Sequence, residues 1–151
     1  MMTAKRSAIL LGSALAAALG GCATVPDLSP DERALVASTW YLDTVADAQE
    51  EIRLRPQLSD RHTMTFQRDG GMILQLDCNR GTSRWDAFEG NGGSGRLSVG
   101  QVASTRALCP SPSYGERMAA QLPQADFYQL GPDGRTLTIR TPAATFSFVA
   151  R

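Results

Sequence analysis

The chain has 151 residues, with 15 basic side chains against 15 acids, a single histidine and three cysteines. Balanced charge without a basic run argues against a nucleic-acid partner and against strong electrostatic recruitment of any kind. The length is that of one domain.

Met1–Arg6 carries Lys5 and Arg6, and Ala8–Leu19 is a small-apolar run broken only by Gly12 and Ser13. A charged start followed by such a run is the pattern of a signal peptide, and the run is shorter than the ~20 apolar residues a membrane span needs. Leu19-Gly20-Gly21-Cys22 resembles a bacterial lipobox, whose cysteine is lipidated and becomes the first mature residue. Residues 1–21 are therefore expected to be a lipoprotein signal peptide, with Cys22 the lipidation site. The mature chain keeps thirteen arginines, no lysine and fifteen acids, a formal charge of −2. With Cys22 lipidated, Cys78 and Cys109 are left as an even pair, in an exported setting where disulfides persist.

Ala23 to about Asp31 carries two prolines and reads as a tether, so residues 22–36 are expected to be a lipidated N-terminus and linker. Ser38–Leu42 is an aromatic-rich first strand. Ile52–Arg55 alternates and is closed by Pro56, with Arg53 and Arg55 on a solvated side. Thr63–Gln67 alternates with Met64 and Phe66 on one face, and Arg68-Asp69-Gly70-Gly71 is a hairpin signal. The returning strand, Met72–Cys78, places Met72, Leu74, Leu76 and Cys78 on the core face by its period of two. Asp77, Asp86 and Glu89 then fall on a solvated face.

Gly90–Gly95 lacks the Gly-Lys-Ser/Thr ending of a phosphate loop and reads as a hairpin connection. Arg96–Val99 is a short strand. A helix is expected after Cys109, capped by Ser111 with Pro112 at its first position or by a Ser113/Glu116 capping box. Tyr114, Met118 and Leu122 form its apolar stripe, and Pro123 stops it. Asp126–Leu130 and Arg135–Thr141 make a hairpin around Gly131–Gly134, and Thr145–Val149 is the last strand. The fold class is mainly β (α+β), an antiparallel sheet curled into a partial barrel with one packed helix.

Candidate chemistry is thin. Zinc wants three or four Cys, His or acidic ligands, whereas two cysteines and His62 lack ligand spacing, so no metal site is expected. A Cys78–His62 nucleophilic dyad needs an exposed thiolate, and the alternation turns Cys78 inward. Nothing selects a pair of carboxylates for hydrolysis. The remaining reading is a disulfide between Cys78 and Cys109, worth about 3.5–4 kcal/mol by chain-entropy reasoning.

Asp77-Cys78-Asn79-Arg80 with Trp85, and Ala103-Ser104-Thr105-Arg106-Ala107-Leu108-Cys109-Pro110, resemble the two signatures of the META domain, or HslJ-like, family. The resemblance covers about residues 37–151; Asp77 and Ser83 stand where the family usually has glycine. It implies a compact, mostly β domain with a packed helix, pairing of Cys78 with Cys109, and Asn79, Arg80, Thr105 and Arg106 as motif residues of unknown role. It also implies carriage by envelope lipoproteins linked with stress tolerance, and it supplies no enzyme activity.

The expectation is therefore a non-enzymatic, cofactor-free, monomeric lipoprotein, held on the outer membrane facing the periplasm through Cys22. It would bind an unknown envelope protein. An alternative is a small-ligand or inhibitor β-barrel module in the periplasm, with Gly90–Gly95 as a rim. A hydrolase is the third reading, and it requires a cleft of acids with perturbed pKa values.

Overall fold

A computed structural model describes residues 27–88, 90 and 92–151. The expected signal peptide and Cys22 lie outside the described residues. The elements in order are α1 (Pro30–Val36), β1 (Thr39–Ala46), β2 (Glu51–Arg53), α2 (Pro56–Ser59), β3 (His62–Phe66), β4 (Gly71–Leu76) and β5 (Asn79–Phe88). Then follow β6 (Ser94–Val99), β7 (Ala103–Ser104), α3 (Gly115–Gln121) running into a 3-10 turn (Leu122–Gln124), β8 (Phe127–Leu130), β9 (Thr136–Arg140) and β10 (Thr145–Ala150).

Strands β1, β3, β4, β5, β6, β8, β9 and β10 are neighbours in that order, all antiparallel, and β10 pairs back onto β1 from Trp40↔Ala150 to Ala46↔Thr145. The barrel is thus closed, where the sequence suggested a partial one, because the first and last strands of the domain pair. β2 adds to the far half of β1, and β7 adds to β5.

Alternation fills the barrel. Trp40 and Leu42 of β1, Met64 and Phe66 of β3, Met72 and Leu74 of β4, and Phe146 and Phe148 of β10 are all essentially inaccessible. An eight-stranded barrel is just wide enough for side chains to fill it, and these do. The hairpin at Arg68–Gly71 forms as read, with Gly70 at φ +78°, a backbone region glycine enters without steric cost.

The segment read as a tether contains a helix. In α1, Ser29 accepts the Glu32 N–H and the Glu32 carboxylate accepts the Ser29 N–H, a reciprocal capping box, and Pro30 sits in the first turn. The helix is anchored by Leu35, which is fully buried and whose carbonyl accepts the Trp40 indole N–H at 2.9 Å. Asp31 reaches across to accept the Tyr128 hydroxyl (3.0 Å) and the Gly93 N–H (3.2 Å). Burial, and then the Asp31 hydrogen bond, push the Tyr128 phenol pKa far up.

A second unforeseen helix, α2, follows β2 directly. The helix after Cys109 forms, but it starts at Gly115 with Tyr114 at the N-cap and no side-chain cap, so neither Ser111 nor Ser113 serves. It packs its first turn against the end of β4, where a Cβ on Gly115 would collide with the Leu76 carbonyl. Met118 and Leu122 are fully buried, as the stripe requires.

Candidate functional site

The two motifs meet at the end of β4 opposite the Arg68–Gly71 hairpin. Cys78 and Cys109 form a disulfide with a Cα–Cα distance of 5.6 Å across a separation of 31 residues. Cys78 does not point inward. β4 ends at Leu76, Asp77 takes φ +64°, and that left-handed step turns the chain so that Cys78 is exposed. Asp77 is displaced the other way, from the expected solvated face to 4% exposure. Its carboxylate lies 2.9 Å from Arg61 Nη1 and its N–H donates to the Arg61 carbonyl at 2.7 Å. Among the described residues no N–H is aligned to hydrogen-bond either carboxylate oxygen, so the Arg61 contact is coulombic. Asp86 is exposed as expected, and Glu89 lies outside the described residues.

Asn79 is the hub of the two motifs and is 6% exposed. Its Nδ2 donates to the Ala107 carbonyl at 2.8 Å and to Cys109 Sγ at 3.3 Å; its Oδ1 accepts the Ala107 N–H at 2.7 Å and the Thr105 hydroxyl at 2.9 Å. Thr105 also accepts the Arg80 N–H through Oγ1 (3.1 Å) and donates its own N–H to the Arg80 carbonyl (3.0 Å). One carboxamide therefore serves the donors and acceptors of a loop 28 residues away, which is what keeps that loop ordered without regular strand pairing. Asn79 and Thr105 are structural.

Arg80 and Arg106 are exposed, and the same loop holds Leu108 almost wholly in solvent, at 96% exposure. The disulfide and the Asn79 hydrogen bonds fix this loop, so an apolar tip and two guanidinium-bearing residues are displayed on a rigid mount.

Behind the disulfide, His62 is fully buried. Its Nδ1 lies 2.8 Å from the Leu58 carbonyl, and its Nε2 accepts the Tyr114 backbone N–H at 3.0 Å. That pairing requires the neutral tautomer with the proton on Nδ1. Desolvation lowers the His62 pKa, against the Leu58 carbonyl and the Asp77 charge, which raise it. The ring links α2 to the start of α3. With Cys78 oxidised and both ring nitrogens committed, His62 and Cys78 make no nucleophilic dyad.

Among the described residues, no group of three or more His, Cys, Asp and Glu is placed to hold a metal ion. Asp47 has a lowered pKa because the Gln49 and Glu50 N–H groups, and then Arg117, favour its charged form; this is a turn, not a cleft. The Gly90–Gly95 connection is tied down at Gly93, whose carbonyl also accepts the Leu130 N–H at 2.6 Å. A groove of about 670 Å³, which no local pattern foretold, runs between β2, α2 and the segment preceding α3.

Among curated proteins none matches the chain. The fold is similar to that of a DUF4847 family protein from Bacteroides vulgatus, a crystal structure with TM-score 0.55 and 16% identity, covering 80% of this chain and 96% of that one. It is equally similar to a protein from Burkholderia xenovorans solved by NMR, with TM-score 0.55 and 17% identity over 91% of this chain and 99% of that one. At these identities the likeness is one of fold alone. The META domain model matches residues 33–151, and the chain belongs to that family.

Proposed function

We propose that this chain is a non-catalytic interaction module of the bacterial cell envelope, anchored through lipid on Cys22 and facing the periplasm from the outer membrane. Its role is to support envelope stress tolerance by docking another envelope component. The observation that carries this reading is the use to which the motif residues are put. Asn79, Thr105, Cys78 and Cys109 are consumed in holding a loop, while Arg106 and Leu108 are displayed on it and Arg80 is displayed beside it on β5. A rigid mount presenting an apolar tip among arginines suits recognition better than bond chemistry.

The small-ligand reading is left to the outer grooves, because side chains fill the barrel where a ligand would otherwise sit. Fractionation of cells tests the anchored reading. The wild-type chain is expected with the outer membrane, and Cys22→Ser is expected to leave the outer-membrane fraction. A wild-type chain that is soluble, or a Cys22→Ser chain that stays with the outer membrane, contradicts it.

A further inference from the structure

Strand β2 has one open edge. Leu54 donates its N–H to the Asp43 carbonyl and Asp47 donates its N–H to the Glu50 carbonyl, while Val45 stands opposite Ile52 between them. Antiparallel pairs alternate between hydrogen-bonded and non-hydrogen-bonded, so the backbone groups of Ile52 and Leu54 face β1. Those of Glu51 and Arg53 face away. No other strand pairs with β2 among the described residues.

That edge borders the groove of about 670 Å³. Its apolar lining comes from Ile52, Leu54, Leu58, Pro112 and Tyr114, and its charged lining from Arg53, Arg55 and Arg61, with no acid among the lining residues. The Arg55 side chain has no partner among the described residues. Arg53 and Arg61 each lean on one carboxylate, Asp43 at 3.3 Å and Asp77 at 2.9 Å, yet remain 79% and 46% exposed.

We propose that this groove binds an extended acidic peptide, which adds a short strand to the open edge of β2 and sets its carboxylates against Arg53, Arg55 and Arg61. Main-chain hydrogen bonds hold the segment, and alternate side chains choose between the apolar floor and the arginines. Charge selects the occupant. A second copy of this chain, paired edge to edge, would bring its own three arginines to the same place, and like charges brought together oppose association. An acidic segment meets the opposite sign.

This goes beyond the interaction reading, since the groove is a surface separate from the Arg106–Leu108 loop, and rests on that reading for its biological role. The binding assay, however, does not depend on the acyl group, so the two fail separately. The probe is a fluorescein-labelled ten-residue peptide of alternating Glu and Val, titrated by anisotropy with the full chain in detergent. It is expected to bind, to weaken with added salt, and to resist displacement by a Lys/Val counterpart. Arg55→Glu is expected to weaken it about tenfold.

Glu51→Pro is the discriminating variant. It removes an edge N–H without touching a bond to β1, at a position where a sheet tolerates proline, and it also removes a negative charge. Strand addition predicts about five- to tenfold weaker binding, whereas a purely electrostatic contact predicts tighter binding. Peptides N-methylated on one or the other alternate set give the same answer without changing the protein: one set is expected to bind and the other not. Absence of binding overturns the proposal. So does a Kd that neither Glu51→Pro nor either methylated set raises, and so does self-association of the chain that competes with the peptide.

Discussion

Asp77 shows how one residue decides what a motif presents. At φ +64° it occupies backbone space that costs an ordinary side chain about 1–2 kcal/mol and glycine nothing, with Asp among the better tolerated residues. The glycine that the META family usually has there would relieve that cost and also remove a buried carboxylate. Against this stands the loss of the Arg61 contact, whose guanidinium is 46% exposed and free to hydrate. Asp77→Gly is therefore expected to be neutral or to stabilise by about 1 kcal/mol in urea unfolding, with Cys78 and Cys109 still paired. A loss of about 2 kcal/mol or more would mean that the ion pair outweighs the backbone cost. Asn79 differs in kind: Asn79→Ala removes the hydrogen bonds to the Ala107 N–H and carbonyl together, and because Ala107 is exposed each is expected to cost about 0.5–1.5 kcal/mol.

His62 gives a pH dependence with a definite sign. Its native pKa lies below the ordinary histidine value of 6.5, so as pH falls past that value the unfolded chain takes up a proton that the native fold refuses. Linkage then makes stability decline. The contribution is fully present above pH ~6.5, is lost as pH drops toward the native pKa, and levels off below it. Urea midpoints between about pH 8 and 5.5 are expected to fall more steeply for the wild-type chain than for His62→Gln. Parallel profiles would remove His62 as the cause.

At the scale of elements, the disulfide joins the end of β4 to the segment that leads into α3 across 31 residues. A closed loop of that size is worth about 3.5–4 kcal/mol by chain entropy. The Asn79 hydrogen bonds survive reduction in part, so reductant is expected to lower stability by about 3 kcal/mol, with β-sheet signal retained below the transition. Unchanged unfolding midpoints in reductant would mean that the loop is held without the bond. Helix α1 works at the other mouth through Leu35 and Asp31, and its own signal was in the chain: Ser29-Pro30-Asp31-Glu32 is a capping box with proline at the first helical position. Prolines and acids that signalled a linker instead capped a helix, because Leu35 had a core to enter.

For the whole molecule, the local geometry was legible and the long-range geometry was not. Alternation in Thr63–Gln67 and Met72–Leu76 identified the inward residues, because one face of each strand is buried. It failed at Cys78, since periodicity carries no notice of where a positive φ ends a strand. Closure through Trp40↔Ala150 to Ala46↔Thr145 joins segments about a hundred residues apart, and no local pattern encodes such a pairing. The same holds for the groove: Arg53 and Arg55 read as a solvated face, and only folding brings Arg61 and Tyr114 opposite them. The pairing of Cys78 with Cys109 was legible because the expectation that Cys22 carries lipid leaves two of the three cysteines to pair, and that count requires no geometry.

On the proposed reading the three cysteines are the anchor and the staple of a non-catalytic module. Both roles are visible at once in the intact mass of the chain recovered from the envelope and alkylated without reductant. The expected species begins at Cys22, carries acyl mass, takes up no alkylating reagent, and gains two adducts only after reduction. A chain without acyl mass would remove the anchor, and one alkylated at Cys78 and Cys109 before reduction would remove the staple.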